Sequence, residues 1–502
     1  MTDTLQRFAP YMDAEDLAQL KEYPSVSAMW TDVLTRFGDR VAIEDEGKQY
    51  SFSDLEAAAA GLRGALLARG FARGDRVGLL AENSVGFVVG FLAVTTLGGV
   101  AAVLPPHLPD MAVLGCSMKF GLKMLLATEA LAGVCAAAVE KLGLPLLRTD
   151  ERGEPAGAAP CESAEPCTVM FTGGTTGQSK GALLSNGAVM QGVYNSALGC
   201  HGVFGARYLL VLPLSHVFGL IRNLLASLST GSSLFICRNN KDMFRDAAMF
   251  RPTVMVLVPA LAELALTLSK KFGRNMLGED LRYIICGAAA VPPYLISEYH
   301  AMGIALFPGY GLTETANLVS GNPCNLEKPE SVGIPYPNQE LKLVDGELWL
   351  RGKNLMDGYL GGDGADAWTE DGWFRTGDLA RFDDDGLLYI TGRIKEIIVL
   401  PTGENVSPAE VETRFLACNL IQDCQVFEDM DGQRRILALE VVPRATEMAK
   451  LPAETAGKTL MEALEQINAA LPAWQRISRI TVRDSDFERT KSMKIVRYQK
   501  CK

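Results

Sequence analysis

The stretch that most restricts this chain is Val169-Met170-Phe171 followed by Thr172-Gly173-Gly174-Thr175-Thr176-Gly177-Gln178-Ser179-Lys180-Gly181. A short apolar run that feeds a loop of glycines, hydroxyls and one lysine reads as a strand ending in a polyphosphate cradle. Glycines let backbone N–H groups turn toward an anion, hydroxyls add donors, and the lysine adds a full positive charge. It is not a Walker A loop, which needs Gly and Lys adjacent, because Gln178 and Ser179 separate Gly177 from Lys180. A flexible surface loop is the plainer alternative, and the ordering of residues around the single lysine speaks against it.

The rest of the chain alternates. Ser51 or Ser53 is placed to cap a helix over Asp54 to Arg69, and strands are expected over Asp75 to Ala81, Lys123 to Ala127 and Leu144 to Leu147. After a connector at 151–166 and a helix starting near Asn186, strands follow at Tyr208 to Leu212, Ser233 to Cys237, Thr253 to Val258, Leu281 to Cys286 and Ile304 to Phe307. Strands separated by helices at this spacing imply parallel sheets covered on both faces. From about Glu340 short strands meet at tight turns, Asp345-Gly346 and Asp385-Gly386. Beyond Arg393 a compact α+β unit is expected, with strands near Cys424 to Phe427, Arg435 to Val442 and Ile477 to Arg483 and a helix over Leu460 to Leu471. The expected division is 1–393 and 394–502.

Ser84 to Leu104 is apolar enough to resemble a membrane span. Its glycines and the Pro105-Pro106 stop fit a buried helix, a Gly98-Gly99 turn and a buried strand better. Lys+Arg 48 against Asp+Glu 59 give a net charge of -11, which argues against general nucleic-acid binding. The eleven cysteines show neither CxxC pairs nor metal spacing, so free thiols in a reducing compartment are expected. With no signal peptide evident at Met1 to Leu5, the expected location is cytoplasmic. Two partial motifs are set aside. Ala456-Gly457-Lys458-Thr459 lacks the first glycine of a Walker A loop, and Gly309-Tyr310-Gly311-Leu312-Thr313-Glu314 lacks the third glycine of a dinucleotide fingerprint.

Four further clusters could carry chemistry. Tyr310 to Glu314 should sit at a strand's carboxyl end, where open α/β sheets bind ligands, with a stacking face and a hard oxygen for Mg2+. Thr376-Gly377-Asp378 offers an acceptor for a diol. Gly392-Arg393-Ile394-Lys395 places cations at the expected boundary, and Thr490-Lys491-Ser492-Met493-Lys494 places lysines near the C-terminus.

In this order, from about Val41 to Arg497, the set resembles the adenylate-forming superfamily of acyl-CoA synthetases, amino-acid and aryl-acid adenylating enzymes and firefly luciferase. FTGGTTGQSKG, YGLTET, GELWLRG, GWFRTGDLARFDDDGLLYITGRIKE and TKSMKIVR are the matching motifs. Gly173 and Ser179 stand where serine and proline are commoner, Met493 where glycine is, and Glu488 where proline is. The resemblance implies a large domain of α/β-layered sheets with a distorted β-barrel, and a small mobile α+β domain.

It further implies that Thr172, Gly173, Gly174, Thr175, Thr176, Gly177 and Lys180 bind the ATP phosphates. Tyr310 and Gly311 would flank adenine beside Gly287-Ala288-Ala289. Thr313 would approach the α-phosphate and Glu314 would hold Mg2+. Asp378 and Arg393 would bind the ribose, and Lys494 would bridge the substrate carboxylate and the α-phosphate. His216 would line the acyl site, Lys395 would be the hinge, and Gly403 would face the thiol acceptor.

Val217 to Leu225 contains no acid, which disfavours an amino acid and suits a fatty or aryl acid. The expected activity is ATP-dependent formation of an acyl-adenylate, then acyl transfer to coenzyme A. The alternatives are loading of a separate carrier protein, or a non-catalytic nucleotide-binding relative. Partners are thus a small carboxylic acid and CoA or a carrier protein, with no nucleic acid and no membrane span.

Overall fold

The computed structural model describes residues 6–172, 180–323, 326–362, 364–400, 405–432, 434–489 and 495–497, without the side chains of 365 and 434. Two large sheets form the body. The first has nine strands, of which Val41–Asp45, Ser233–Ile236, Arg207–Leu210, Val254–Leu257, Tyr283–Cys286 and Ala305–Tyr310 run parallel side by side. The second has seven, with Pro166–Thr172, Val100–Leu104, Arg76–Leu80, Met124–Ala127 and Leu146–Arg148 parallel. Their Val/Ile/Leu-rich centres are buried, as sheets covered on both faces require.

Local sequence explains where elements start. Ser51 caps the helix Phe52–Ala68 with a capping box, its Oγ accepting from the Asp54 N–H while the Asp54 carboxylate accepts from the Ser51 N–H. The apolar segment after Ser84 folds as the helix Val85–Thr96 and the buried strand Val100–Leu104, joined through Gly98 at φ +77°. Among the described residues no helix is long and apolar enough to cross a membrane. The nine described cysteines are unpaired. Residues 456–459 form the first turn of the helix Ala456–Ala470, which starts earlier than Leu460.

Among the strands that the sequence reading did not include, two bear on the site. Lys180–Ser185 runs antiparallel to Pro166–Thr172, so a strand follows residues 173–179, and the helix expected near Asn186 comes after it as Asn186–Ala197. Gly358–Leu360 then pairs with that strand, Tyr359 opposite Ala182. A third sheet of four antiparallel strands, Gln339–Val344, Glu347–Gly352, Phe374–Phe382 and Leu388–Arg393, stands where the distorted barrel is expected. Its first turn, Asp345-Gly346, has φ of +50° and +81°, the pair of left-handed residues that a tight hairpin needs.

The C-terminal unit pairs Ile421–Asp431 with Arg434–Pro443 and Arg479–Val482 over its own core, including Val411, Phe415, Leu439 and Leu460. It meets the large domain through Arg444, 8% exposed. The guanidinium carbon lies 3.7 Å from the Tyr294 ring centre and Nε 3.4 Å from Glu263 Oε1. The Tyr294 hydroxyl donates to the same carboxylate. Burial pushes the Glu263 carboxyl upward, and the Tyr294 hydrogen bond and Arg444 charge oppose it. Removing one member of such a buried pair costs about 3–5 kcal/mol because the other charge stays dry. Arg444→Met should therefore loosen the docked small domain and speed limited proteolysis in the connector after Arg393. A cleavage rate equal to wild type would count against this contact as the main tie.

Candidate active site

Three strand ends place the site. Ala305–Tyr310 delivers Tyr310 at its carboxyl end, Tyr283–Cys286 delivers Gly287, and Pro166–Thr172 delivers the half-buried Thr172. These are the edges where open parallel sheets leave a crevice. Gly311 follows Tyr310 in a cramped turn: a Cβ there would lie 1.5 Å from the Asn317 carbonyl oxygen. A Cβ at Gly287 would lie 3.3 Å from the Gly309 oxygen and 3.5 Å from the Phe218 ring. Ala288 carries φ +66°, a conformation that side chains other than glycine rarely adopt. Ala289 follows it, exposed.

One polar group forms around Glu314. Residues Thr313–Thr315 make a single 3-10 turn, with the Leu312 N–H donating to Thr315 Oγ1 at 2.9 Å. Thr313 and Glu314 are both half-buried. The Glu314 carboxylate accepts from the Tyr359 hydroxyl, and Lys180 Nζ sits 4.9 Å from the centre of the same Tyr359 ring. Pairing of Gly358–Leu360 with Lys180–Ser185 is what carries Tyr359 to this place. Burial, then the Glu314 charge, pushes the Tyr359 phenol far above its ordinary value, so it stays a donor.

A second group forms around Asp378. In the third sheet Asp378 stands opposite Arg393, and Arg393 Nε lies 2.7 Å from Asp378 Oδ1. The Tyr310 hydroxyl donates to the other oxygen at 2.5 Å. The Asp378 N–H donates to Thr376 Oγ1 at 3.0 Å, and Gly377, at φ +72°, turns the strand at that point. Asp378 is 1% exposed. Burial raises its carboxyl, with the Arg393 charge and the Tyr310 hydrogen bond pulling it back. An ionised carboxylate has about four acceptor positions, so these two partners leave room for a diol.

His216 accepts the Phe218 N–H on Nδ1 at 3.2 Å, which puts the proton of a neutral imidazole on Nε2. Lys395 is exposed in the turn Ile394–Glu396. Gly173, Gly174, Thr175, Thr176, Gly177, Gly403 and Lys494 lie outside the described residues. The flanks of the last are fixed. Arg489 pairs antiparallel with Ile495, and Arg497 bridges Glu396 and Glu412 at 3.2 and 2.8 Å.

The structure thus brings Lys180 to Glu314 and Tyr310 to Asp378 and Arg393, with residues 310–314 joining the two groups. Tyr359 was missed because a lone tyrosine in Gly358-Tyr359-Leu360 carries no periodic signal. Its only sequence cue was proximity to a glycine-rich turn.

Among the described residues no set of three or more His, Cys, Asp or Glu could hold a metal. Glu314 alone suits Mg2+, which keeps several waters and binds through one or two carboxylates plus substrate phosphates. The Asp378 carboxylate, held by Tyr310 and Arg393, is an acceptor of the kind a ribose diol needs.

Residues 30–360 match the family model described as AMP-binding enzyme, and residues 395–502 that of the AMP-binding enzyme C-terminal domain. The 4-coumarate–CoA ligase 2 of Oryza sativa subsp. japonica is 29% identical over 80% of this chain and 80% of its own. The indoleacetate–CoA ligase of Aromatoleum aromaticum is 32% identical over 74% of this chain and 79% of its own. Among solved structures, the o-succinylbenzoate CoA synthetase of Bacillus subtilis superposes with a TM-score of 0.78 at 25% identity, covering 96% of this chain and 98% of that one. That enzyme is known in complex with an acyl-adenylate intermediate, and with ATP and a magnesium ion.

Proposed function

The chain belongs to the AMP-binding enzyme family, and from that premise we propose that it activates a fatty or aryl carboxylic acid and passes the acyl group to coenzyme A. It is an AMP-forming acid–thiol ligase, with ATP and CoA as substrates and Mg2+ as its metal. The observation that carries the fuller reading is the grouping of Lys180, Tyr359 and Glu314 beside Tyr310, Asp378 and Arg393.

A carboxylate is ionised at neutral pH, so its oxygen attacks the α-phosphorus of ATP without a general base. The bond from that phosphorus to pyrophosphate breaks, and an acyl-adenylate remains. Two anions must meet, so charge neutralisation and alignment set the rate. Lys180, paired opposite Thr172, faces the phosphates, and Thr313 approaches the α-phosphate. Asp378 and Arg393 hold the ribose, with Tyr310 against adenine. Glu314 would hold Mg2+, which when bound would neutralise the departing charge.

Lys494, from the small domain, draws the acid and the α-phosphate together. The division at 393/394 lets residues 394–502 then turn about Lys395 and bring the segment of Gly403 to the thiol. The thiol sulfur attacks the acyl carbon, the bond to AMP breaks, and the thiol proton is lost to solvent.

A screen of pyrophosphate release over fatty, aryl and amino acids, with and without CoA, tests the reading. Acid-dependent release, with an acyl-CoA formed when CoA is present and amino acids inert, is expected. Release with acylation of a carrier protein in place of CoA would move the acceptor. No acid-dependent release at all would make the chain a nucleotide binder only.

A further inference from the structure

One tyrosine meets both of the opposite charges at the phosphate end of the site. Strand Gly358–Leu360 sets Tyr359 opposite Ala182, and Lys180 lies two residues before Ala182, on the same face of its strand. Tyr359 is therefore a diagonal neighbour of Lys180, whose Nζ rests 4.9 Å from the centre of its ring. The Tyr359 hydroxyl donates to Glu314 Oε1. Backbone ties the same segment to the Glu314 turn, because the Met356 N–H donates to the Glu314 carbonyl at 2.8 Å. Gly364 closes in from another side. At φ +70°, a Cβ there would lie 2.6 Å from Tyr359 Cδ2 and 3.4 Å from Lys180 Nζ.

Lys180 and Glu314, both half-buried, thus touch one side chain. Among the described residues no hydrogen bond or ion pair joins the two to each other. That is the less expected arrangement, because opposite charges this near attract strongly away from bulk water. A direct pair would be stable and unproductive. The lysine would be neutralised before phosphate arrived, and the carboxylate filled before the metal did. A ring face attracts a cation without cancelling its charge. One phenol donor takes one of about four acceptor positions on a carboxylate, and the other oxygen has no partner among the described residues. Burial, followed by the Glu314 charge, holds the phenol protonated far above its ordinary range.

We propose that Tyr359 is a positioning residue, a spacer that keeps Lys180 for the phosphates of ATP and Glu314 for Mg2+ by preventing their direct pairing. This rests on the roles given to Lys180 and Glu314 above and adds the side chain that lets them coexist. Tyr359 acts through those two residues and not on the substrate.

Binding of a non-hydrolysable ATP analogue is measured by calorimetry in EDTA and in Mg2+, and the ratio of the two affinities is the metal increment. Tyr359→Phe keeps the ring beside Lys180 but frees Glu314, so metal-free affinity should hold while the increment falls about tenfold. Tyr359→Leu removes the ring face as well, and metal-free affinity should then also fall about tenfold as Lys180 turns to Glu314. Glu314→Gln supplies the deciding comparison. In that background Tyr359→Leu should cost less than about threefold in metal-free affinity, because no carboxylate is left to capture the lysine. Equal losses in both backgrounds would mark a packing role and overturn the spacer while leaving the ligase reading intact. An undiminished metal increment in Glu314→Gln alone would remove that residue's metal role and the spacer together. Should Tyr359→Leu not fold, Tyr359→Phe decides, and a wild-type increment there overturns the proposal.

Discussion

Replacing Lys494 with alanine is expected to slow acyl-adenylate formation by roughly a hundred- to thousandfold, the usual effect of losing one preorganised donor to developing charge. ATP should still bind, because Lys180, Asp378 and Arg393 remain on the large domain. Thioester formation from a pre-made adenylate should be nearly spared, since the small domain would by then have carried the lysine away. The two half-reactions are separable: acid-dependent ATP–pyrophosphate exchange reports the first, and consumption of synthetic acyl-adenylate with CoA reports the second. Equal loss in both would contradict a lysine that serves only one orientation of the small domain.

Lys180→Met should have an effect of similar size, a fall of about a hundred- to thousandfold in kcat/KM for ATP. The expected cause differs. Lys180 lies against the Tyr359 ring, whose hydroxyl holds Glu314. The variant loses a phosphate partner and one contact that orders the metal ligand. Fold stability should change little, because a half-exposed cation over a ring contributes only about 0.5–1 kcal/mol. Steady-state pyrophosphate release at varied ATP measures it, and a loss under tenfold would remove Lys180 from the phosphate site. Lys180→Arg, which keeps the charge but not its shape, should fall between wild type and methionine.

The parallel sheets were legible because Val254–Leu257, Tyr283–Cys286 and their neighbours are short buried apolar runs spaced by helices. Boundaries shifted by a residue or more where a buried run outlasts its hydrogen-bonded pairing, as at Tyr208 to Leu212 against Arg207–Leu210. The strand Lys180–Ser185 was hidden because its six residues lie between a glycine-rich loop and a helix cap. Gly358–Leu360 has three residues and no period to read.

At the site, ordered motifs singled out Glu314, Tyr310, Asp378 and Arg393, and the structure adds who touches whom. The burial of Arg222, 3% exposed, was illegible for a different reason. A single arginine in Val217 to Leu225 reads as the polar edge of a buried helix. Only the packing of Cys200, Tyr208, Tyr283 and Tyr336 around it shows how deeply it lies.

The central claim is that the acid's own carboxylate oxygen becomes bonded to the α-phosphorus of ATP. Acid labelled with 18O in its reacting carboxylate, incubated with ATP, Mg2+ and CoA, tests it by mass spectrometry of the products. The account predicts one labelled oxygen in each AMP and none in pyrophosphate. Unlabelled AMP alongside labelled pyrophosphate or phosphate would contradict it.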